Sequence, residues 1–510
     1  MIIKKIFSSS IRVGFLTFIS RIFGYIRDLL ITYFFGANLQ TDAFYVAFRI
    51  PNLFRRLLAE GTLSTTLVPF FTESSLLKDA NIFKKLRNDI FTILFLVLFV
   101  TTLLFYFFSQ QIIYIFAFGF DEKTNQLASE LLRNMSPFLF LISLSALNMG
   151  LLNSIKKFNA PAFSPVMLNL GVIGTIIFSY YFLSVDIFIL SYAVLFGAIL
   201  QYLFQLPFIF SNNLVYRFSF NNIINDQTKS ILIVIVPQIF GLAIYNLNIL
   251  INTQFASFME KGSVTYLYLA ERLVEFPLGI FAVAVATTSL PDFAKLNINK
   301  KFDEFANLVC SKIKFLLFLS TPCAVAFIFL GEQICSALYL RGEFLSSDAI
   351  STSRALVAYS IGLVFVASIR VVTQAFYAIK DTRTPVMLAG ANLIINILLC
   401  YILGFYFNLG FFGLALAASI SAIILFFMLT KKLKNHFNEI KIYEIIQYLI
   451  LIILLSFISI YGSFLLSNLF ASYLNINPYI HLFLTIILSA VAYLCLAKVA
   501  KLKELKMIFE

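Results

Sequence analysis

The stretch "IFTILFLVLFVTTLLFYFF", Ile90–Phe108, decides the fold class of this chain. It runs for 19 residues without a charged side chain, which is about the length that a helix needs to cross the hydrocarbon core of a bilayer. The whole chain shares this character, since 60% of its 510 residues are hydrophobic and 12% are charged, against about 25% charged in soluble proteins. We find none of the ten-residue alternation that spanning β-strands require. The sequence predicts an all-α integral membrane protein.

Apolar segments of this kind recur along the chain and leave no room for a soluble domain. Arg21 and Arg27 interrupt the first segment, and no small-residue cleavage site follows it, so we interpret it as a retained helix and not as a signal peptide. The pattern predicts about fourteen membrane-spanning helices, near residues 11–34, 43–72, 84–117, 125–154, 161–184, 186–212, 228–258, 264–292, 304–331, 347–378, 385–405, 409–430, 443–468 and 476–499.

The basic residues are distributed unequally between alternate loops. One set of loops, together with the two ends of the chain, holds 23 Lys and Arg, whereas the opposite set holds three, Lys123, Lys261 and Arg341. Cytoplasmic loops carry such an excess, so we predict that both termini face the cytoplasm. The net charge of +13 is therefore a consequence of topology, and we expect no nucleic-acid partner.

An internal repeat is visible at an offset of about 220 residues. The tetrapeptide "PVML" begins at Pro165 and again at Pro385, each time after a basic loop, and Arg49 aligns with Arg272. Six predicted spans separate each pair, so both copies cross the membrane in the same direction. This favours two six-helix lobes related by a parallel repeat, with the N-lobe at 1–227, the C-lobe at 228–435 and two additional helices at 436–510.

Arginines inside the predicted spans point to a cavity. Lys312, Lys314 and Arg12 can extend to the interface, but nine further arginines lie in or beside the spans, with few acidic residues to neutralise them. An arginine at the centre of a lipid-facing helix costs at least about 2.5–3.5 kcal/mol. We therefore expect a water-filled cavity of net positive charge that binds an anion.

Pairing with acids is the alternative for these arginines, and it remains open at this point. Arg56 and Glu60 are four residues apart, Arg272 and Glu275 are three apart, and Arg27 directly precedes Asp28. These spacings allow ion pairs on a helix.

The second span has further polar features. On a helix, Arg49, Asn52 and Arg56 share a face and Arg55 lies beside it. Pro51 interrupts the hydrogen bonds of this span, and the freed backbone groups need a polar cavity. The planar guanidinium suits phosphate or carboxylate held by two hydrogen bonds.

Catalytic and metal-binding patterns are missing from the sequence. Five scattered cysteines have no ligand-like spacing, and both histidines, His436 and His481, are expected at the surface near helix ends. No Walker A sequence occurs. We predict a transporter without cofactor, metal or catalytic residues, and not an enzyme.

Four stretches resemble the MurJ (MviN) family: "SRIFGYIRD", "FGANLQTDAFYVAFRIPNLFRRLLAEGTLSTTLVPFF", "ERLVEFPLGIFAVAVATTSLP" and "FYAIKDTRTPVML". The resemblance covers essentially the whole chain. It implies a lipid II flippase of the MOP exporter superfamily in the bacterial inner membrane, with fourteen helices around a central cavity and a groove for the lipid tail on the last two.

The resemblance also implies site residues. The family's cavity arginines, which would bind the diphosphate, fall on Arg21, Arg27, Arg55 and Arg272. Supporting cavity positions fall on Ser20, Asp28, Asp42, Arg49, Asn52, Arg56, Glu60, Glu275 and Arg370.

The expected substrate is lipid II, the undecaprenyl-diphosphate-linked disaccharide-pentapeptide, which would move to the outer leaflet by alternating access. Membrane lipids and the cell-wall synthesis machinery are the other expected partners. The alternatives are a related oligosaccharide-lipid flippase, a multidrug or cation antiporter, a membrane enzyme acting on a prenyl diphosphate, and a scaffold without transport activity. A cation antiporter should have an acidic cavity, and an enzyme should have an Asp cluster or a catalytic His.

One departure from the family concerns sodium. The resemblance implies that some members of the family bind sodium through carboxylates on the seventh and eleventh helices, but residues 231–258 and 384–430 contain no Asp or Glu here. The polar residues there are amides, among them Asn246, Asn248, Asn392 and Asn396. We therefore predict no sodium site.

Overall fold

A computed structural model describes residues 2–55, 57, 67–68, 70–72, 80–221, 223–437, 439–474 and 477–509. Within these ranges every regular element is a helix and no strand occurs. Eleven helices of the described chain are long and apolar enough to cross a membrane, and they coincide with eleven of the fourteen predicted spans. Helices also occupy the described parts of the other three, 11–34, 43–72 and 228–258. The predicted fold class is confirmed.

The chain forms two compact units, Met1–Val264 and Thr265–Glu510. The helices of the first unit are α1 (Ile2–Phe35), α2 (Leu39–Arg55), α3 (Ala80–Phe107), α4 (Ser109–Phe116), α5 (Glu122–Ser154), α6 (Asn159–Phe182), α7 (Phe188–Ser211) and α8 (Asp226–Ala256). Here α6 packs on α1 and α7, α5 packs on α2, α3 and α7, and α8 contacts α2, α3 and α4. The predicted lobe boundaries at 227 and 435 remain a prediction.

The second unit begins inside a helix, two residues after that helix starts at Ser263. Its helices are α9 (Ser263–Pro277), α10 (Val283–Ile298), α11 (Phe302–Tyr339), α12 (Ser346–Ala378), α13 (Arg383–Leu399), α14 (Gly410–His436), α15 (Ile442–Leu474), α16 (Pro478–Val499) and α17 (Lys503–Phe509). Two π-helical segments, Leu278–Ala282 and Cys400–Tyr406, follow α9 and α13. Helices α11, α12 and α14 pack in sequence, and α15 packs on α11 and α16.

The repeat is visible in the helix lengths. Helices α5 and α12 both have 33 residues, and each is followed by a turn with a lysine in the left-handed conformation, Lys156 at φ 63° and Lys380 at φ 65°. The helix after each turn contains one copy of "PVML".

Small residues let the helices approach closely in both units. A Cβ on Gly171 of α6 would lie 2.5 Å from Cα of Gly197 on α7. In the second unit a Cβ on Gly362 of α12 would lie 2.7 Å from Cα of Ser419 on α14, whose hydroxyl donates to the carbonyl of Ala358 at 2.6 Å. Helices in lipid associate through such contacts, because apolar side chains gain little by leaving hydrocarbon.

Two prolines that the sequence singles out, Pro51 and Pro277, behave differently. Pro277 ends α9, and the π-helix follows it directly, as expected for a residue that cannot donate a backbone hydrogen bond. Pro51, in contrast, lies inside α2, which continues to Arg55.

Hydrogen bonds between polar side chains join the two C-terminal spanning helices. Ser467 of α15 is buried, and its hydroxyl lies 2.7 Å from Oγ1 of Thr485 and 3.0 Å from Nε2 of His481 on α16. His481 is half-buried, so its predicted surface position was wrong: the hydrogen bond holds it against α15. His436 is exposed, as predicted.

Candidate functional site

Arg27 lies in a buried network on α1. Its Nε and Nη2 donate to Oδ1 of Asp28 at 3.0 and 2.7 Å, and both residues are buried, at 6% and 2% exposure. The guanidinium also lies over the ring of Phe48 on α2, 5.6 Å from its centroid. In this conformation Arg27 is paired, which is the alternative that the sequence left open. Removing one partner of a buried ion pair strongly destabilises a protein, because the other charge stays buried without compensation.

A residue that sequence reasoning did not assign completes this network. Asn169 of α6 is buried, and its Oδ1 accepts from Nη1 of Arg27 at 3.2 Å, while its Nδ2 donates to the backbone carbonyl of Ser20 at 3.1 Å. The predicted supporting residue Ser20 therefore contributes a backbone oxygen to the network. Asn169 directly follows the first "PVML". The only feature of the sequence that could have indicated its role is that it is an amide inside an apolar span.

Arg21, the other arginine of α1 that is predicted to bind the diphosphate, has an exposed side chain. It lies two helical turns from Asp28, which is buried. The two residues share a helix face as predicted, but only the acid is covered by neighbouring helices. Arg21 is therefore accessible to a ligand in a way that Arg27 is not.

Asp42 and Arg49 connect α2 to the end of α8 and the loop that follows it. Oδ2 of Asp42 accepts from the backbone amide of Gly262 at 2.7 Å, and Gly262 has a φ of 88° that favours glycine. Arg49 is buried, and its Nη1 donates to the hydroxyl of Thr253. Both predicted supporting residues thus hold the ends of helices together within the first unit.

Arg55 is half-buried at the end of α2. Its Nε donates to Oδ1 of Asn52 at 2.7 Å, three residues earlier. This contact joins two predicted cavity residues within one turn of the helix. Arg56 and Glu60, which the sequence predicts as a pair, lie outside the described residues.

In the second unit, Arg272 of α9 is held by an aromatic residue as well as an acid. Its Nε and Nη2 both donate to the hydroxyl of Tyr268, at 3.2 and 3.1 Å, and its guanidinium lies 5.3 Å from the centre of that ring. Glu275 pairs with Nη1 at 3.4 Å, with side-chain exposures of 33% and 39%. A partly exposed ion pair of this kind contributes little to the free energy of unfolding. Arg370 of α12 is half-buried.

The charges of the described site residues are unequal. On α1 and α2 the predicted site holds four arginines, Arg21, Arg27, Arg49 and Arg55, and two carboxylates, Asp28 and Asp42. One carboxylate is used by Arg27 and the other accepts from a backbone amide. The remaining positive charge makes these helices suitable for an anion.

The amides near the family's sodium position give neutral oxygens. Asn392 and Asn396 of α13 are buried at 5% and 1% exposure, and Oδ1 of Asn396 accepts from Ser421 of α14 at 3.5 Å. Within the described ranges no three His, Cys, Asp or Glu side chains come together as metal ligands. The residues here do not fit a carboxylate-based sodium site.

Comparison with known proteins identifies the family of the chain. The family model "Lipid II flippase MurJ" matches residues 31–482. A relative from Buchnera aphidicola, named as a probable lipid II flippase MurJ, is 34% identical over 508 residues and covers 98% of each chain. The lipid II flippase MurJ of Burkholderia cenocepacia is 34% identical over 437 residues, covering 84% of each chain.

Solved structures with similar folds are also known. A structure titled as lipid II flippase MurJ in an inward closed conformation superposes with a TM-score of 0.80 at 29% identity, covering 96% of this chain and 98% of the other. A multidrug transporter of the MATE family, in the MOP superfamily, superposes with a TM-score of 0.69 at 14% identity, over 82% of this chain and 95% of the other. The second similarity shows the fold alone.

Proposed function

Because the chain belongs to the MurJ family of lipid II flippases, we propose that its membrane arginines bind the diphosphate of lipid II. The protein is a multi-pass transporter of the inner membrane and not an enzyme, and lipid II is its substrate. The proposal concerns the residues that perform this transport. Arg21, Arg27, Arg55 and Arg272 carry the binding, and the supporting residues set their positions.

The observation that carries this assignment is the excess of arginine over acid on α1 and α2. Arg21 is exposed and Arg55 is half-buried, so these two reach the diphosphate first. Arg272 exchanges its weak contact with Glu275 for a phosphate oxygen. Arg27 is already paired with Asp28. It therefore acts on the diphosphate through the electrostatic field of its charge until a change of conformation separates the pair.

Transport follows by alternating access. A cytoplasm-facing state captures the diphosphate at these arginines, while the prenyl chain stays in lipid along residues 436–510. The lobes then reorient so that the head group leaves on the outer side. The 23 basic residues in alternate loops and at the chain ends support a topology with both termini in the cytoplasm. We place the cell-wall synthesis machinery downstream, since it consumes the exported precursor.

The acid-poor site disfavours the multidrug and cation antiporter alternative, because a cation needs carboxylates to compensate its desolvation. The family match disfavours a different oligosaccharide-lipid substrate.

The test is complementation of cells depleted of their own lipid II flippase. We expect R55A and R272A to fail at normal protein levels, because each removes a charge-assisted contact worth about 1.5–3 kcal/mol. R341A is the matched control, since Arg341 lies in an opposite-side loop over Tyr479 and outside the site. Full rescue by R55A and R272A would refute the assignment of these arginines, although the family membership would stand.

A further inference from the structure

An apolar cavity opens in the first unit, and no arginine is among its lining residues. It has a volume of about 460 Å³ and is formed by three helices: Phe15 and Leu16 of α1, Asn159, Ala160 and Phe163 of α6, and Phe204 and Phe208 of α7. We call it the α1–α6–α7 crevice. Its volume is that of a small-ligand pocket, sufficient for one hydrocarbon chain and too apolar for a sugar-peptide head group.

Aromatic packing gives the crevice a fixed wall. The rings of Phe163 and Phe204 have centroids 5.5 Å apart, and Phe204 lies 5.5 Å from Phe208 along α7. Phe15 of α1, which also lines the crevice, is 61% exposed. A void of this size in a bilayer takes up hydrocarbon, because side-chain atoms that face an empty space lose their dispersion contacts.

The end of the crevice is marked by Asn159, the first residue of α6, and the turn before it is basic. Lys156 and Lys157 are both exposed. The turn is held by two backbone hydrogen bonds, from the amide of Lys156 to the carbonyl of Asn153 at 3.0 Å and from Lys157 to Leu152 at 2.9 Å. Two cations therefore lie in a fixed turn next to an apolar opening.

The repeat supplies a comparison for this turn. In the second unit, Lys380 and Asp381 make the same pair of hydrogen bonds, to Tyr377 and Phe376, each at 3.0 Å. The backbone is thus the same, but the second lysine of the first turn has an aspartate as its counterpart. Of these two repeat-related turns, the one beside the crevice carries two lysines and the other does not, so the dibasic pair is not required by the geometry of the turn.

We propose that the α1–α6–α7 crevice binds one anionic phospholipid, with an acyl chain along the phenylalanines and its phosphate at Lys156 and Lys157. Basic pockets between spanning helices at the cytoplasmic side have this specificity. The exposed amide of Asn159 can donate to an ester or phosphate oxygen. None of the arginines assigned to the diphosphate lines the crevice, so the proposal does not depend on their assignment.

The test is native mass spectrometry of the purified full-length protein, titrated with dioleoylphosphatidylglycerol or dioleoylphosphatidylcholine. We expect one phosphatidylglycerol to bind at concentrations that leave phosphatidylcholine unbound. The double variant K156Q/K157Q should need about tenfold more phosphatidylglycerol. L16W, which fills the crevice and keeps both lysines, should lose the same lipid. K380Q, in the equivalent turn, is the matched control and should bind as the original chain does.

Three results would overturn the proposal: equal binding of the two phospholipids, K156Q/K157Q binding like K380Q, or displacement of phosphatidylglycerol by an equimolar amount of undecaprenyl phosphate. The last would assign the crevice to the prenyl carrier. The melting temperature of each variant is measured in parallel, and if L16W does not fold, the lysine variants decide the outcome.

Discussion

Nη1 of Arg27 donates to Oδ1 of Asn169 at 3.2 Å, and the same amide donates back to the carbonyl of Ser20 on the helix that carries Arg27. One side chain of α6 thus fixes both the backbone of α1 and the orientation of its buried arginine.

We predict that N169L inactivates the flippase without removing it from the membrane. The variant removes the acceptor that Nη1 of Arg27 uses and the amide that donates to the Ser20 carbonyl, at a cost of about 1–3 kcal/mol. Complementation, with protein levels measured in the same cells, tests this. Q201L is the control: Gln201 is also a buried amide of the first unit, but it donates to Ser164 and not to an arginine. Equal loss of function in both variants would contradict a specific role for Asn169.

We predict that Y268F weakens lipid II binding about fivefold. The phenol oxygen accepts from both Nε and Nη2 of Arg272 and so orients its guanidinium. Without these hydrogen bonds the free energy of lipid II binding should weaken by about 1 kcal/mol, which corresponds to a factor of about five. Binding of lipid II to the purified protein provides the measurement. Y266F serves as the control on the same helix, because Tyr266 donates to Asp348 at 2.8 Å. It should lower the melting temperature and leave lipid II affinity unchanged; the reverse pattern would refute the prediction.

We predict that D42A lowers the stability of the protein by about 1–3 kcal/mol, since the buried amide of Gly262 loses its acceptor. D42N keeps an oxygen at this position and should restore most of the loss. Thermal unfolding in detergent compares the two variants. If D42N and D42A unfold at the same temperature, the charge of Asp42 matters and its hydrogen bond to Gly262 does not.

We predict a pH-dependent contribution from Asp381, which lies in the family stretch "FYAIKDTRTPVML". Hydrogen bonds from Thr384, and from the backbone amide of Arg383, hold the pKa of Asp381 below its ordinary value. The folded pKa is lower than the unfolded one, so the carboxylate stabilises the fold above its unfolded pKa, and this stabilisation is lost as pH falls through the folded pKa.

D381A should therefore be less stable than the original chain at neutral pH, by about 1 kcal/mol. Below about pH 4 the difference should decrease. Melting temperatures from pH 7 to pH 3 measure it, with D186A in the α6–α7 loop as the control. A difference that does not change with pH would contradict the assignment.

Composition and the spacing of apolar residues determined the class of this protein, because a bilayer accepts only segments of a set length and polarity. The eleven confirmed spans, the repeat of "PVML" and the family stretches were all legible in local sequence. The positions of Arg55 and Arg272 on their helices were predictable for the same reason, since their contacts with Asn52, Tyr268 and Glu275 are within one helical turn.

Tertiary structure decided which distant residues meet. Asn169 reaches Arg27 across 142 positions, Thr253 reaches Arg49 across 204 and Gly262 reaches Asp42 across 220. Helical periodicity gives the face of a residue but not the helix opposite it, which depends on how small residues such as Gly171 and Gly197 let helices approach. The sequence alone therefore determined that the arginines are present within the spans, and only the packing of the helices decided that Arg27 is buried and paired while Arg21 is exposed.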